Sequence, residues 1–144
     1  MIPQSPDERP LSWHLTWVAH PSFCPSYGVR IDGSKGRIWV VPDRGLTEIH
    51  GPLHTPGNSL FQNVPSEPLP SDLRASLLTQ ILRLRIGLAP QADLGCDGTT
   101  HALNLRVGSH RLELGWWNHP EGALVELRPL IELLESLAQP HSRA

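Results

Sequence analysis

The sequence predicts an α+β domain in which an antiparallel sheet of four to five strands packs against two helices, in the order β-β-β-α-β-β-α. Three observations lead to this prediction. Alternating apolar and polar residues indicate strands within residues 11–17, 27–41 and 99–117. Apolar residues spaced three to four apart indicate helices within 71–87 and 128–138. Short turn sequences rich in glycine join neighbouring strands into two hairpins.

The first strand is indicated by Trp13, Leu15 and Trp17, which alternate with polar residues and so share one buried face. The following segment, YGVRID-GSKG-RIWVV, predicts a hairpin with a four-residue loop. Its register places Asp32 opposite Arg37 as a charge pair beside the turn.

The second hairpin has Gly108–Ser109 as a two-residue type II′ turn. This turn predicts one leucine-lined face, formed by Leu103, Leu105, Leu112 and Leu114. It also places His101 opposite Trp116 on that face, and Trp117 on the other face, because adjacent strand residues point apart.

The first helix is expected to be capped by Ser71 and to end near Gly87. The second is expected to start at 128–129, because proline is tolerated at the first position of a helix, and to run to about residue 138. The segment between the hairpin and this helix is expected to include one helical turn.

The chain length of 144 residues predicts a single domain over 11–138, with a flexible arm at 1–10 and a flexible tail at 139–144. The proline-rich stretch 42–70 holds too many apolar residues for a solvated linker. We therefore expect it to be an ordered loop that wraps the domain, with a short edge strand near 46–50.

Composition narrows the classes of function and partner. The formal net charge is −2, which gives no reason to expect nucleic acid or an anionic membrane as partner. The chain has no apolar run long enough to span a bilayer and no secretory signal pattern, so a cytoplasmic location is expected. Its two cysteines are too few for a disulfide framework. We predict no cofactor.

Two groups of residues could carry chemistry. Cys96, Asp97, His101 and His119 could activate a thiolate or hold a metal. The rival interpretation makes Asp97 a turn residue and His101 a packing residue. His50 and His54 have a ligand spacing that works only on a helix, and the surrounding prolines and glycines argue against one. We therefore predict no metal site and exposed loop histidines.

A third group could bind a partner. If no helix covers the side of the sheet opposite the leucines, Trp39, Trp117, Tyr27 and Arg30 would form an aromatic–arginine patch there. Within it, the first hairpin places Arg30 near Trp39 for a cation–π contact. The loop that contains His50 and His54 would flank this patch.

The C-terminal half contains DGTTHALNL, then LELGWWNHP and finally LRPLIELLESLA. This pattern resembles the C-termini of small uncharacterised bacterial proteins, some of which are similar to immunity-type proteins that neutralise a toxin by binding it. The resemblance implies a protein-binding module that occludes a cognate toxin. Two alternatives remain open: a small cysteine/histidine-dependent or metal-dependent hydrolase, and a homo-oligomeric structural protein or homodimer joined through the face that carries Trp39 and Trp117.

Overall fold

A computed structural model describes residues 11–44, 60–85 and 98–139. Six strands are present: β1 (Trp13–Pro21), β2 (Tyr27–Asp32), β3 (Arg37–Val41), β4 (Glu67–Pro68), β5 (Thr99–Val107) and β6 (His110–Trp117). The helices are α1 (Ser71–Leu82), a 3₁₀ helix (Gly122–Leu127) and α2 (Arg128–Ala138). The strands form one antiparallel sheet in the order β4-β3-β2-β1-β5-β6, which confirms the predicted α+β class.

Both predicted hairpin registers are confirmed. In the first, Asp32 pairs with Arg37 across the loop. In the second, Val107 pairs with His110 around the Gly108–Ser109 turn. Gly108 has a φ of +59°, which the first central position of a type II′ turn requires.

One face of the sheet is covered by helices and forms the core. Trp13, Leu15 and Trp17 of β1 are fully buried there, together with Leu103 and Leu105 of β5. Helix α2 packs over β2 and β3. Of the leucines that its spacing predicts to face inward, Leu130 and Leu134 are buried, whereas Leu133 and Leu137 are partly buried. Ile131 of α2 is buried as well.

The proline-rich stretch contributes a sixth strand that was not predicted. Residues 67–68 pair with β3 at the edge of the sheet, and Arg37 holds them there through hydrogen bonds to Ser66. The predicted charge pair of Arg37 with Asp32 is therefore wrong. Asp32 instead accepts hydrogen bonds from the backbone N–H groups of Ser34 and Lys35, because a carboxylate at the start of a turn reaches those donors easily.

The predicted cap of α1 is also wrong. Ser71 is the first helical residue, Pro70 occupies the cap position, and no side chain caps the helix. Helix α1 ends at Leu82, before the predicted end. Helix α2 begins with Pro129 in its first turn as predicted, and the 3₁₀ helix supplies the expected turn before it.

Several predictions lie outside the described residues: the arm at 1–10, the edge strand near 46–50, the predicted helix end at Gly87 and most of the tail. Among the described helices, none is long and apolar enough to cross a membrane.

Trp13 packs closely against Gly33 of the first hairpin loop, and this contact leads to a prediction about the free energy of unfolding. A Cβ atom at Gly33 would overlap the Trp13 indole ring, which is 1% exposed and cannot move aside. Gly33→Ala should lower the free energy of unfolding by about 1–3 kcal/mol, the usual cost of overpacking. Gly115→Ala is the matched control, since its Cβ would lie 3.5 Å from its nearest neighbour, the His101 carbonyl oxygen. Equal unfolding free energies for the two variants in urea would contradict the packing argument.

Candidate functional site

A histidine lies between two tryptophans on the helix-covered face of the sheet. The His101 ring is stacked against Trp116 at 5.2 Å between centroids and 6° between planes, and against Trp17 at 5.9 Å and 16°. The register of β5 with β6 places His101 directly opposite Trp116, while Trp17 on β1 is its diagonal neighbour. Only 2% of His101 is exposed.

The hydrogen bonds of His101 require the neutral ring. Trp17 Nε1 donates to His101 Nδ1 at 3.1 Å, so Nδ1 carries no proton. Burial is the main cause that lowers the pKa of His101 to about 4; the nearby His119 and His20 act in the same direction, and a hydrogen bond to the Asn118 backbone opposes them. His101 is therefore uncharged near neutral pH.

This burial decides between the two interpretations of His101. Only 2% of His101 is exposed and Nδ1 is occupied, so His101 is a packed core residue and is not placed to take a proton from a substrate. The structure therefore favours the packing interpretation of His101 over the catalytic one. His119 is exposed, whereas Cys96 and Asp97 lie outside the described residues. A role for Cys96 and Asp97 in thiolate chemistry or metal binding stays a hypothesis.

The opposite face of the sheet, here called the outer face, carries its side chains in rows that run across the strands. One row holds polar and aromatic residues: Trp39, Arg30, Thr16, Asn104 and Glu113. The next row holds small or apolar residues: Val41, Gly28, Val18, Ala102 and Gly115. We call the second set the small-residue row.

A groove of about 490 Å³ lies on the outer face over β1, β5 and β6. Its floor is part of the small-residue row, with Val18 buried and Ala102 and Gly115 exposed. Polar side chains rim it: Asn104 and Glu113 on one side and His20 at the end of β1. A depression of this size falls within the range of ligand- and side-chain-binding pockets in proteins.

Beside the groove, Arg30 and Trp39 form the predicted cation–π pair. The Arg30 guanidinium carbon lies 5.6 Å from the centroid of the Trp39 ring. Arg30 is exposed and Trp39 is partly buried, so both present surface to an incoming molecule. Such a contact holds the arginine in place without removing its charge.

The structure does not bring the other two members of the predicted patch to this position. Tyr27 lies on the helix-covered face, where its ring meets Trp17 edge-on at 5.8 Å and 78°, and burial raises its pKa to about 12. Trp117 lies on the far edge strand beside Thr100, and its indole packs on Gly98. The four residues therefore do not form a single patch. Tyr27 and Arg30 are three positions apart in β2 and point to opposite faces, and three strands lie between Trp39 and Trp117. His50 and His54 lie outside the described residues.

Sequence reasoning missed the groove and a polar pair at its end. His20 Nδ1 and Ser26 Oγ are 2.7 Å apart and close the loop between β1 and β2. The alternation along each strand predicts which residues lie on the outer face. Their alignment into a groove depends on β1 lying between β2 and β5. Within the described ranges, no group of three or more His, Cys, Asp or Glu side chains is placed to hold a metal ion.

Comparisons of the chain with protein-family models, with curated proteins and with solved structures found no match. The resemblance of the C-terminal half to immunity-type proteins therefore stays a prediction.

The low pKa of His101 makes a prediction about pH. The unfolded histidine, with a pKa of about 6.5, takes up a proton at a higher pH than the folded one. The free energy of unfolding should fall as the pH drops from about 6.5 to about 4, by up to about 3 kcal/mol from this residue. Urea unfolding at several pH values checks this contribution.

His101→Gln removes the titrating group and should flatten this part of the pH dependence, whatever its effect on stability at neutral pH. His110→Gln is the control, since His110 is exposed at the start of β6 and should leave the slope unchanged. A slope in His101→Gln as steep as in the unaltered protein would show that His101 is not responsible.

Proposed function

We propose that this protein is a binding module that docks a partner protein on the outer face of its sheet, most concretely an immunity-type inhibitor that occludes a toxin. The observation that carries the proposal is the groove on that face together with the adjacent Arg30–Trp39 pair. Arginine and tryptophan are the residue types most enriched where binding energy concentrates in protein interfaces.

The shape of the groove supports a partner that inserts a side chain. The exposed floor residues Ala102 and Gly115 carry little or no side chain, so a partner's side chain can approach the backbone of the sheet closely. Around them, the amide of Asn104 and the carboxylate of Glu113 offer hydrogen bonds that would orient the inserted group. An apolar centre with a polar rim is the usual anatomy of a protein interface.

The charge of the outer face supports a partner with an acidic surface. In the described strands this face carries four arginines against two acidic residues, although the whole chain has a formal charge of −2. These residues are Arg30, Arg37, Arg106 and Arg111 against Asp32 and Glu113. Complementary charge steers association and selects partners more than it adds affinity.

The structure offers the alternatives less support. A hydrolase that uses the candidate histidines is less well supported, because His101 is buried in the core and cannot reach a substrate. A homodimer joined through Trp39 and Trp117 is less well supported, because the two residues do not lie in one patch. Three strands separate β3, which carries Trp39, from β6, which carries Trp117.

The proposal is tested with the product of the neighbouring gene as the partner. The unaltered protein should bind that product in calorimetry and relieve its toxicity on co-expression. Ala102→Arg places a long side chain in the groove and should weaken binding by at least about tenfold; Trp39→Ala, which removes one half of the cation–π pair, should also weaken it.

Ala75→Arg is the matched control, because Ala75 is exposed on α1, away from the outer face. It should bind and protect like the unaltered protein. The proposal fails if the products of all adjacent genes leave the protein unbound, or if Ala102→Arg and Trp39→Ala bind as tightly as the control.

A further inference from the structure

Strand β6 lies at one edge of the sheet, and among the described residues no strand pairs with its outer side. Its side chains are accessible there: Arg111 is 58% exposed and Glu113 is 65% exposed. Gly115 is exposed as well. An accessible edge of this length is a template for pairing with another strand.

The backbone groups that face outward on β6 can be identified. Asn118, which continues β6, donates its N–H to the carbonyl of Thr99 at 2.7 Å. Because inward and outward hydrogen-bonding groups alternate along an antiparallel strand, the even-numbered residues of β6 bond to β5. The outward-facing N–H and C=O groups therefore belong to the odd-numbered residues of β6, which include Arg111, Glu113 and Gly115, and no strand in the described part of the chain pairs with them.

The helices leave the apolar side of this edge incompletely covered. Leu112 and Leu114 are only partly buried, although the residues opposite them, Leu105 and Leu103, are 5% and 2% exposed. A groove of about 410 Å³ adjoins Leu112, between β6 and the end of α1. Its wall includes Leu82, which is 61% exposed. Apolar surface of this kind beside a free strand edge indicates a contact surface.

We propose that β6 pairs antiparallel with β6 of a second copy of this chain, with Leu112 on the two-fold axis. In this register Arg111 of each copy lies opposite Glu113 of the other, so two ion pairs form on the outer face. On the apolar face the two Leu112 side chains meet, and the two grooves with Leu82 face each other across the axis. The same surface serves both copies, as a two-fold interface requires.

The charges of Arg111 and Glu113 favour this register over the registers shifted by one or two residues. Moving the axis to Arg111 places the two Arg111 side chains opposite each other, and moving it to Glu113 does the same for the glutamates. Like charges directly opposite are unfavourable in a sheet. With the axis at Leu114, Glu113 faces Gly115 and gains no partner. Only the axis at Leu112 pairs opposite charges.

Such a dimer would extend the sheet to twelve strands and place both outer-face grooves on the same side. The inference is tested independently of the proposed function, because dimerisation is measured by mass alone and needs no partner protein. Arg111 and Glu113 of one chain already lie 3.4 Å apart, so their side chains are oriented along this edge.

The test measures mass by light scattering across a concentration series of the full chain. The unaltered protein should approach twice the chain mass of 16.0 kDa as the concentration rises. Glu113→Arg places arginine opposite arginine and should weaken the dimer by about tenfold. The double variant Arg111→Glu/Glu113→Arg restores opposite charges and should restore the dimer.

Glu126→Arg makes the same charge change at an exposed position outside the sheet and should dimerise like the unaltered protein. Circular dichroism checks that each variant is folded. A protein that stays monomeric at every concentration overturns the inference. A dimer that withstands Glu113→Arg, or one that the double variant does not restore, overturns the proposed register and edge.

Discussion

The pairing of β1 with both β2 and β5 is the constraint on which the rest of the structure depends. Strand β1 is nine residues long and pairs along its whole length with β5, although β5 begins at Thr99, 78 positions after β1 ends at Pro21. The start of β1 also anchors both hairpin turns. Gly33 donates its N–H to the carbonyl of Trp13, the first residue of β1, and Gly108 donates its N–H to the carbonyl of the preceding Ser12, each at 2.8 Å. The two hairpins become one sheet because this strand lies between them.

The core on the helix-covered side is organised around the aromatic residues that β1 carries. Trp13 packs on Gly33 of the first hairpin, and Trp17 donates a hydrogen bond to His101 of the second. A buried histidine without a partner would cost free energy, but here Trp17 satisfies Nδ1 and the ring stacks on Trp116. The stack therefore joins three neighbouring strands through side chains as well as through the backbone.

The outer face has a different character because its central side chains are small. Because Ala102 and Gly115 carry little or no side chain, they form the floor of the groove over β5 and β6. The larger side chains of Arg30 and Trp39 project from β2 and β3 beside this groove. The edge strand β6 belongs to both proposed surfaces, since Glu113 rims the groove and also lies on the free edge. A dimer formed through β6 would thus bring two partner-binding faces into one continuous surface.

Local patterns by themselves determined the five longer strands, both hairpin registers, the type II′ turn and the start of α2. These features depend on neighbours in the chain: alternation, turn residues and the tolerance of proline in the first turn of a helix. The Arg30–Trp39 contact was predictable for the same reason, since a single hairpin contains both residues.

Only the tertiary structure decided which strands lie side by side, and hence which residues of different hairpins are neighbours on each face of the sheet. The order β3-β2-β1-β5-β6 separates Trp117 from Trp39 and places Trp17 of β1 against His101 of β5. The pairing of Glu67–Pro68 with β3 likewise redirected Arg37 from Asp32 to Ser66. No local pattern contains these outcomes, because each depends on contacts between segments that are far apart in the chain.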